Sequence, residues 1–177
     1  MKKLLPNFLL IAAMACSGAP HTQSERATLE HQAATTVQTM IAKDATLPAL
    51  LNISAGYIVF PEVGKGGFVA GAAHGRGVLY AEGRQVGFVE LSEASLGAQI
   101  GAQSFAELIV FRDAADVQRV KRDKFALSAN ASAVVLTAGV AGSTYSSNRV
   151  MVFVVPRGGV MAELSVGGQR LDFEPGT

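Results

Sequence analysis

The sequence predicts a mainly β member of the α+β class: a curled antiparallel sheet or closed β-barrel-like body, with an N-terminal helix and one helix inserted between strands. Three observations carry that expectation. Residues 54–111 alternate short apolar runs with glycines and keep no helical period of 3.6. Eighteen of the nineteen glycines lie from Gly56 onward, which separates a glycine-free helical stretch after residue 18 from a glycine-rich body. Helical spacing returns once inside that body, at 113–123.

The chain opens with Lys2 and Lys3 before an apolar run, 4–15, that is too short to span a bilayer. This is the pattern of a signal peptide, residues 1–15. It ends in Ala13-Met14-Ala15-Cys16, and Cys16 is the only cysteine, so no intramolecular disulfide forms. The segment resembles a bacterial lipobox, which makes Cys16 the candidate lipidation site; ordinary cleavage after Ala13-x-Ala15 is the alternative. Ser17 after Cys16 resembles the arrangement that sends lipoproteins to an outer membrane. Residues 16–23 read as a tether, and 24–177 as a single domain, for which 49% hydrophobic residues supply a core.

The domain begins with a helix to about Lys43. Ser24 is its expected N-cap, and Leu29, Ala33, Val37, Met40 and Ile41 form its packing stripe. Only Arg26 and Lys43 are basic, which argues for docking on the body rather than lying on a membrane. A short second helix is expected at 47–51, with Pro48 in its first turn. Strands follow at 56–61, 67–73, 76–82, 85–91, 96–103 and 105–111. Glu82-Gly83-Arg84 gives a tight hairpin signal. Gly97, Gln99, Gly101 and Gln103 share one face of a run that suits a sharply bent sheet. Asp113 caps the inserted helix, with Ala114, Val117 and Val120 on one side. Strands resume at 126–137, 150–155, 160–166 and 169–173, separated by the loop 138–149 and the turn 156–159.

Chemistry is sparse. His21, His31 and His74 stand apart from other ligands, so neither a metal nor a cofactor is expected. Gly64-Lys65-Gly66-Gly67 lacks P-loop spacing and reads as a turn. Ser143, Ser146 and Ser147 lie in no nucleophile elbow and no histidine follows them, so no catalytic residue is assigned and the protein is read as not an enzyme. Glu62, Glu82, Glu90, Glu93 and Glu107 are spread along strands and turns with no spacing that isolates a pair, and most of them read as solvated surface charges. A formal net charge of +1 gives no electrostatic support for nucleic acid as a partner.

AGYIVFPEVGKGGFVAGAAHGRGVLY, then SLGAQIGAQSFAELIVF, a short helix and FALSANASAVV together resemble the SYLF domain, a family of lipid-binding modules. The resemblance runs from about Ala27 to Val166. It covers the pattern at Ile58-Val59-Phe60-Pro61, the turn Lys65-Gly66-Gly67-Phe68 and the Gly97-x-Gln99-x-Gly101-x-Gln103 run. It implies binding of phospholipid, of phosphoinositides in eukaryotic members and of actin in some yeast proteins. Here the sequence departs from the eukaryotic pattern: the start of the mature chain lacks the basic amphipathic segment linked to membrane contact.

These observations lead to the expectation of a non-enzymatic lipid-binding protein of the bacterial envelope, exported and anchored at the outer membrane, whose partner is a phospholipid membrane. Lys65, Arg76 and Arg84 are the candidate head-group contacts, because cations on turns reach phosphate without losing their water. Phe68, Phe88 and Phe105 are apolar candidates that a core would equally claim. The competing expectation is a scaffolding lipoprotein whose domain binds a protein or the cell wall.

Overall fold

The structure, a computed structural model, describes residues 20, 22–67, 70–96, 101–123, 125–127, 133–135, 149–159 and 168–176. The signal peptide, Cys16, most of the tether, Phe68, residues 97–100, most of the loop 138–149 with its three serines, and the strand at 160–166 lie outside the described residues.

Helix α1 (Gln23–Lys43) is capped by Thr22, not Ser24. Thr22 Oγ1 accepts the Glu25 amide at 3.2 Å while Glu25 Oε2 accepts the Thr22 amide at 3.1 Å. Two orphan donors of the first turn are satisfied by this reciprocal box. Ser24 falls inside the first turn, where its carbonyl accepts the Thr28 hydroxyl. The expected stripe is the packing face: Leu29, Ala33 and Met40 are buried with Thr36, and Val37 and Ile41 are half-buried. Asp44 ends the helix and holds Thr46 by amide and hydroxyl, turning the chain into α2 (Leu47–Ile53) with Pro48 in its first turn.

The body is mostly strands: β1 (Gly56–Gly67), β2 (Ala70–Ala81), β3 (Arg84–Leu96), β4 (Gly101–Phe111), β5 (Phe125–Ala126), β6 (Ala133–Val135), β7 (Val150–Gly159) and β8 (Arg170–Pro175). They form one sheet in the order β5-β8-β3-β2-β1-β4-β7-β6, antiparallel except for the β6–β7 pair. Several strands are longer than the glycine pattern suggests. Gly64, Gly66, Gly75 and Gly77 lie inside β1 and β2, and the strands expected at 67–73 and 76–82 are one strand. The expected turn at 156–159 likewise belongs to β7. The hairpin at Glu82-Gly83 is as expected, with φ of 53° and 71°. Both values are left-handed, as a two-residue loop between twisted strands requires. Pro61, which has no amide hydrogen to give, sits in central β1 where the register shifts against β2 and against β4.

The sheet curls into a half-barrel with a core on each face. Helix α3 (Ala114–Val120), capped by Asp113 Oδ1 on the Ala115 amide, touches β1, β4, β5 and β8. Because β8 and β4 are separated by three strands in the sheet, one short helix touches both only if the sheet wraps around it. Ile58, Phe60, Val63, Leu91, Phe105, Ile109, Phe111, Val117 and Val120 fill this concave side. On α3 the buried positions are Val117, Val120 and Asp116; Ala114 is exposed, contrary to the expected face. Asp116 tolerates burial because Arg119 and Arg149 reach its two oxygens at 3.3 and 3.4 Å. The convex side packs Val59, Val78, Phe88, Leu108, Val110 and Phe153 against α1 and α2.

Candidate functional site

The three sequence-predicted cations are not brought together. Lys65 is corrected from a turn to strand β1, where its side chain is buried on the concave face. Its Nζ lies 2.8 Å from Glu93 Oε1, and both side chains are nearly sealed from solvent, at 5% and 2% exposure. An ammonium taken out of water needs such a partner, and the cross-strand row Lys65–Ala73–Glu93 supplies it on the same side of the sheet.

Arg76 lies within β2 on the convex face, exposed, with His74 two residues away on the same side. Both line a groove of about 610 Å³ against α1, together with Pro61, Glu62, Ser24 and Gln32. In register Arg76 stands between Glu62 on β1 and Glu90 on β3. His74 Nδ1 is 3.4 Å from Glu90 Oε1, and Ser104 donates to Glu62 at 3.1 Å. Among the described residues Arg76 enters no ion pair. An anion entering here would meet one guanidinium flanked by two carboxylates, a field that does not favour it.

Arg84 occupies the expected hairpin at the end of the sheet and is 73% exposed, with Glu82 at 3.5 Å as its only ion-pair neighbour among the described residues. The same end gathers further cations. Ala81, paired with Arg84 across the hairpin, lies in one row with Gly56, Phe111 and Val150, so Arg112 and Arg149 emerge beside each other one residue beyond it. The Arg112 amide donates to the Arg149 carbonyl at 2.9 Å, and the Ala55 amide to the Phe111 carbonyl at 2.9 Å. That second bond brings the end of α2 to this edge, where Ile53 is 70% exposed. Among the described residues Ile53 is the exposed large apolar side chain. Arg149 is held by Asp113 and Asp116, whereas Arg112 enters no ion pair among the described residues.

Phe88 and Phe105 are core residues, on the convex and concave sides respectively. Two of the glutamates read as surface charges are corrected: Glu93 and Glu107 are buried inside the curl. Glu107 Oε2 accepts from Gln169 Nε2 at 3.1 Å, and neither residue is exposed. Burial first, and the neighbouring Glu93 charge after it, push the Glu107 carboxyl up to about 8, while Gln169 and Lys65 pull the other way. A signal for Glu107 exists in the sequence, since the alternation Phe105-Glu107-Ile109-Phe111 places it on an apolar face. Nothing local marks Ile53 or Arg112, whose setting depends on where α2 and β4 end. No group of three or more His, Cys, Asp or Glu side chains that could hold a metal occurs among the described residues.

The family model described as Ysc84, Las17-binding protein actin regulator, matches residues 92–175. The family matched is SYLF. The SYLF match runs from the second half of β3 through β8 and takes in Glu93, Glu107, Gln169, Arg112 and Arg149, while Lys65, Arg76 and Arg84 precede it. No curated protein matches the chain.

Proposed function

We propose that this chain is a non-enzymatic lipid-binding protein of a bacterial envelope, tethered through an acylated Cys16, whose SYLF-type body contacts anionic phospholipid. The observation that supports this reading best is the end of the half-barrel that carries exposed Ile53, where the row starting at Arg84 ends next to Arg112 and Arg149. An apolar tip enters the acyl boundary while guanidinium groups around it hydrogen-bond phosphate oxygens in two-pronged fashion. Arg84 and Arg112 carry the head-group role at this end. Arg76 adds a separate exposed cation on the convex face, and Lys65 contributes through the folded core, its ammonium being engaged by Glu93.

The test is sedimentation with vesicles of graded anionic content, using the chain from residue 16 with Cys16→Ser so that no acyl anchor contributes. Binding that rises with anionic lipid and falls with salt supports the reading, and Arg84→Glu with Arg112→Glu should lower it by at least about tenfold, on the order of 1 kcal/mol per cation. Unchanged binding in that double variant would remove the sheet end from the site. The family description names a protein, Las17, as a binding partner, which favours one second reading: a domain that binds a protein and reaches the membrane only through Cys16. Absence of vesicle binding at every lipid composition would select it.

A further inference from the structure

The concave interior holds a polar group that neither the head-group reading nor the SYLF match explains. Gln169, just before β8, donates its amide to Glu107 Oε2 on β4, although β3, β2 and β1 lie between those strands in the sheet. Neighbouring strands are about 4.8 Å apart, so in a flat sheet the two backbones would stand roughly 19 Å from each other. One side-chain hydrogen bond at 3.1 Å spans the gap only because the sheet is curled, and it ties one flank of the curl to the other. Lys65 on β1 and Glu93 on β3 face the same interior; among the described residues they are the charged groups that act on Glu107.

The hydrogen-bond inventory of this interior is unbalanced. Glu93 Oε2, Glu107 Oε1 and Gln169 Oε1 are all buried without a partner, and all three are acceptors. If Glu107 were ionised, two carboxylates would share one ammonium and one amide in a place closed to water, with three lone-pair sites unmet. A proton on Glu107 Oε1 converts one of these acceptors into a donor and removes a buried negative charge. Oε2 then accepts from Gln169 as a neutral carbonyl, and the charges of Lys65 and Glu93 match one to one.

We propose that the curl closed over Glu107 is a proton-dependent clasp: the two flanks stay joined around the sealed carboxyl while it carries its proton, and when that proton is lost the cost of a carboxylate shut away from water outweighs its tighter hydrogen bond to Gln169 and releases the β8 flank. The upward push on the Glu107 carboxyl puts the release in mildly alkaline conditions. Lys65 and Glu93 set the midpoint from opposite directions, since the ammonium favours the ionised carboxylate and Glu93 opposes it. Release would open the interior of the curl without unfolding the convex core beneath α1, which uses other residues.

The experiment is amide hydrogen exchange of residues 170–174, followed by NMR on the full chain from pH 6.5 to 9.5. The paired β1–β2 amides serve as internal reference, and Glu107→Gln is measured at each pH. In the native chain the β8 amides should exchange faster relative to the reference by about tenfold between pH 7 and pH 9, tracking the ionised fraction of one carboxyl. In Glu107→Gln, which keeps a neutral side chain of the same shape, the ratio should stay flat. The Glu107 side-chain carboxyl resonance of the native chain supplies a reading that needs no variant and should titrate above pH 7. A flat ratio in the native chain, the same pH response in both proteins, or a Glu107 carboxyl titrating in the ordinary range near 4.5 would overturn the clasp.

Discussion

A methyl group added at Gly77 would lie 2.6 Å from Phe60 Cδ1 and 2.7 Å from the Val59 carbonyl oxygen, both fixed in the middle of the sheet. The glycine is therefore space for a buried phenyl ring on the neighbouring strand, and no side chain fits without moving backbone. Gly77→Ala should destabilise the fold by about 1–3 kcal/mol, read as a lower urea midpoint. Gly64→Ala, where nothing lies within 4 Å, should leave the midpoint nearly unchanged. Glu107 gives a residue-scale prediction in pH. Its folded-state value of about 8 stands above the 4.5 of a free carboxyl, so between those values the folded protein binds more protons than the unfolded chain. The Glu107 contribution should be most favourable below about 4.5, decline as pH rises from 4.5 to 8, and be level above that. Glu107→Gln should flatten this part of the melting-temperature profile, and a variant with the native slope would show that Glu107 is ionised in the fold.

Helix α1 shows how an element can be read in advance. Its stripe at three- and four-residue spacing was legible because one face meets one surface, so sequence periodicity and burial coincide at Leu29, Ala33 and Met40. Its cap was less so: Thr22 and Ser24 are both good caps, and the choice rests on Glu25 lying three residues after Thr22. The strands of the body followed the apolar pattern, but their ends did not. Gly64-Lys65-Gly66-Gly67 has the composition of a turn, yet pairing with both β2 and β4 keeps it extended. For the same reason Lys65 has the local sequence of a turn cation but not its setting: its burial beside Glu93 follows from a row across three strands that no local pattern encodes. The Glu107–Gln169 contact, 62 positions apart, depends on the curl itself. The docking of α1 can be tested through Met40, which is fully buried on the convex core. Met40→Ala should cost about 2–5 kcal/mol in chemical denaturation, whereas Thr22→Ala, losing only the cap, should cost about 1 kcal/mol.

At the scale of the molecule, the half-barrel presents Ile53 and the arginine row at one end, while α1 covers the convex side and Lys65, Glu93 and Glu107 lie inside the curl. A membrane met by that end would leave the length of α1 away from the lipid, in keeping with its two basic residues. The two components of such a contact respond differently to salt. Attraction between arginines and anionic head groups is screened over about 8 Å at physiological ionic strength and weakens further as salt is added. Burial of an isoleucine side chain contributes about 1.5–3 kcal/mol when complete, and salt does not screen it. For the chain lacking the acyl anchor, Arg84→Glu with Arg112→Glu should therefore lose vesicle binding most at low salt and converge on the native chain as salt rises. Ile53→Asp should be weaker than the native chain across the whole salt range. Should Ile53→Asp bind normally while Arg76→Glu abolishes binding, the contact would move from the sheet end to the groove beside α1, and the orientation of the domain on the membrane would turn with it.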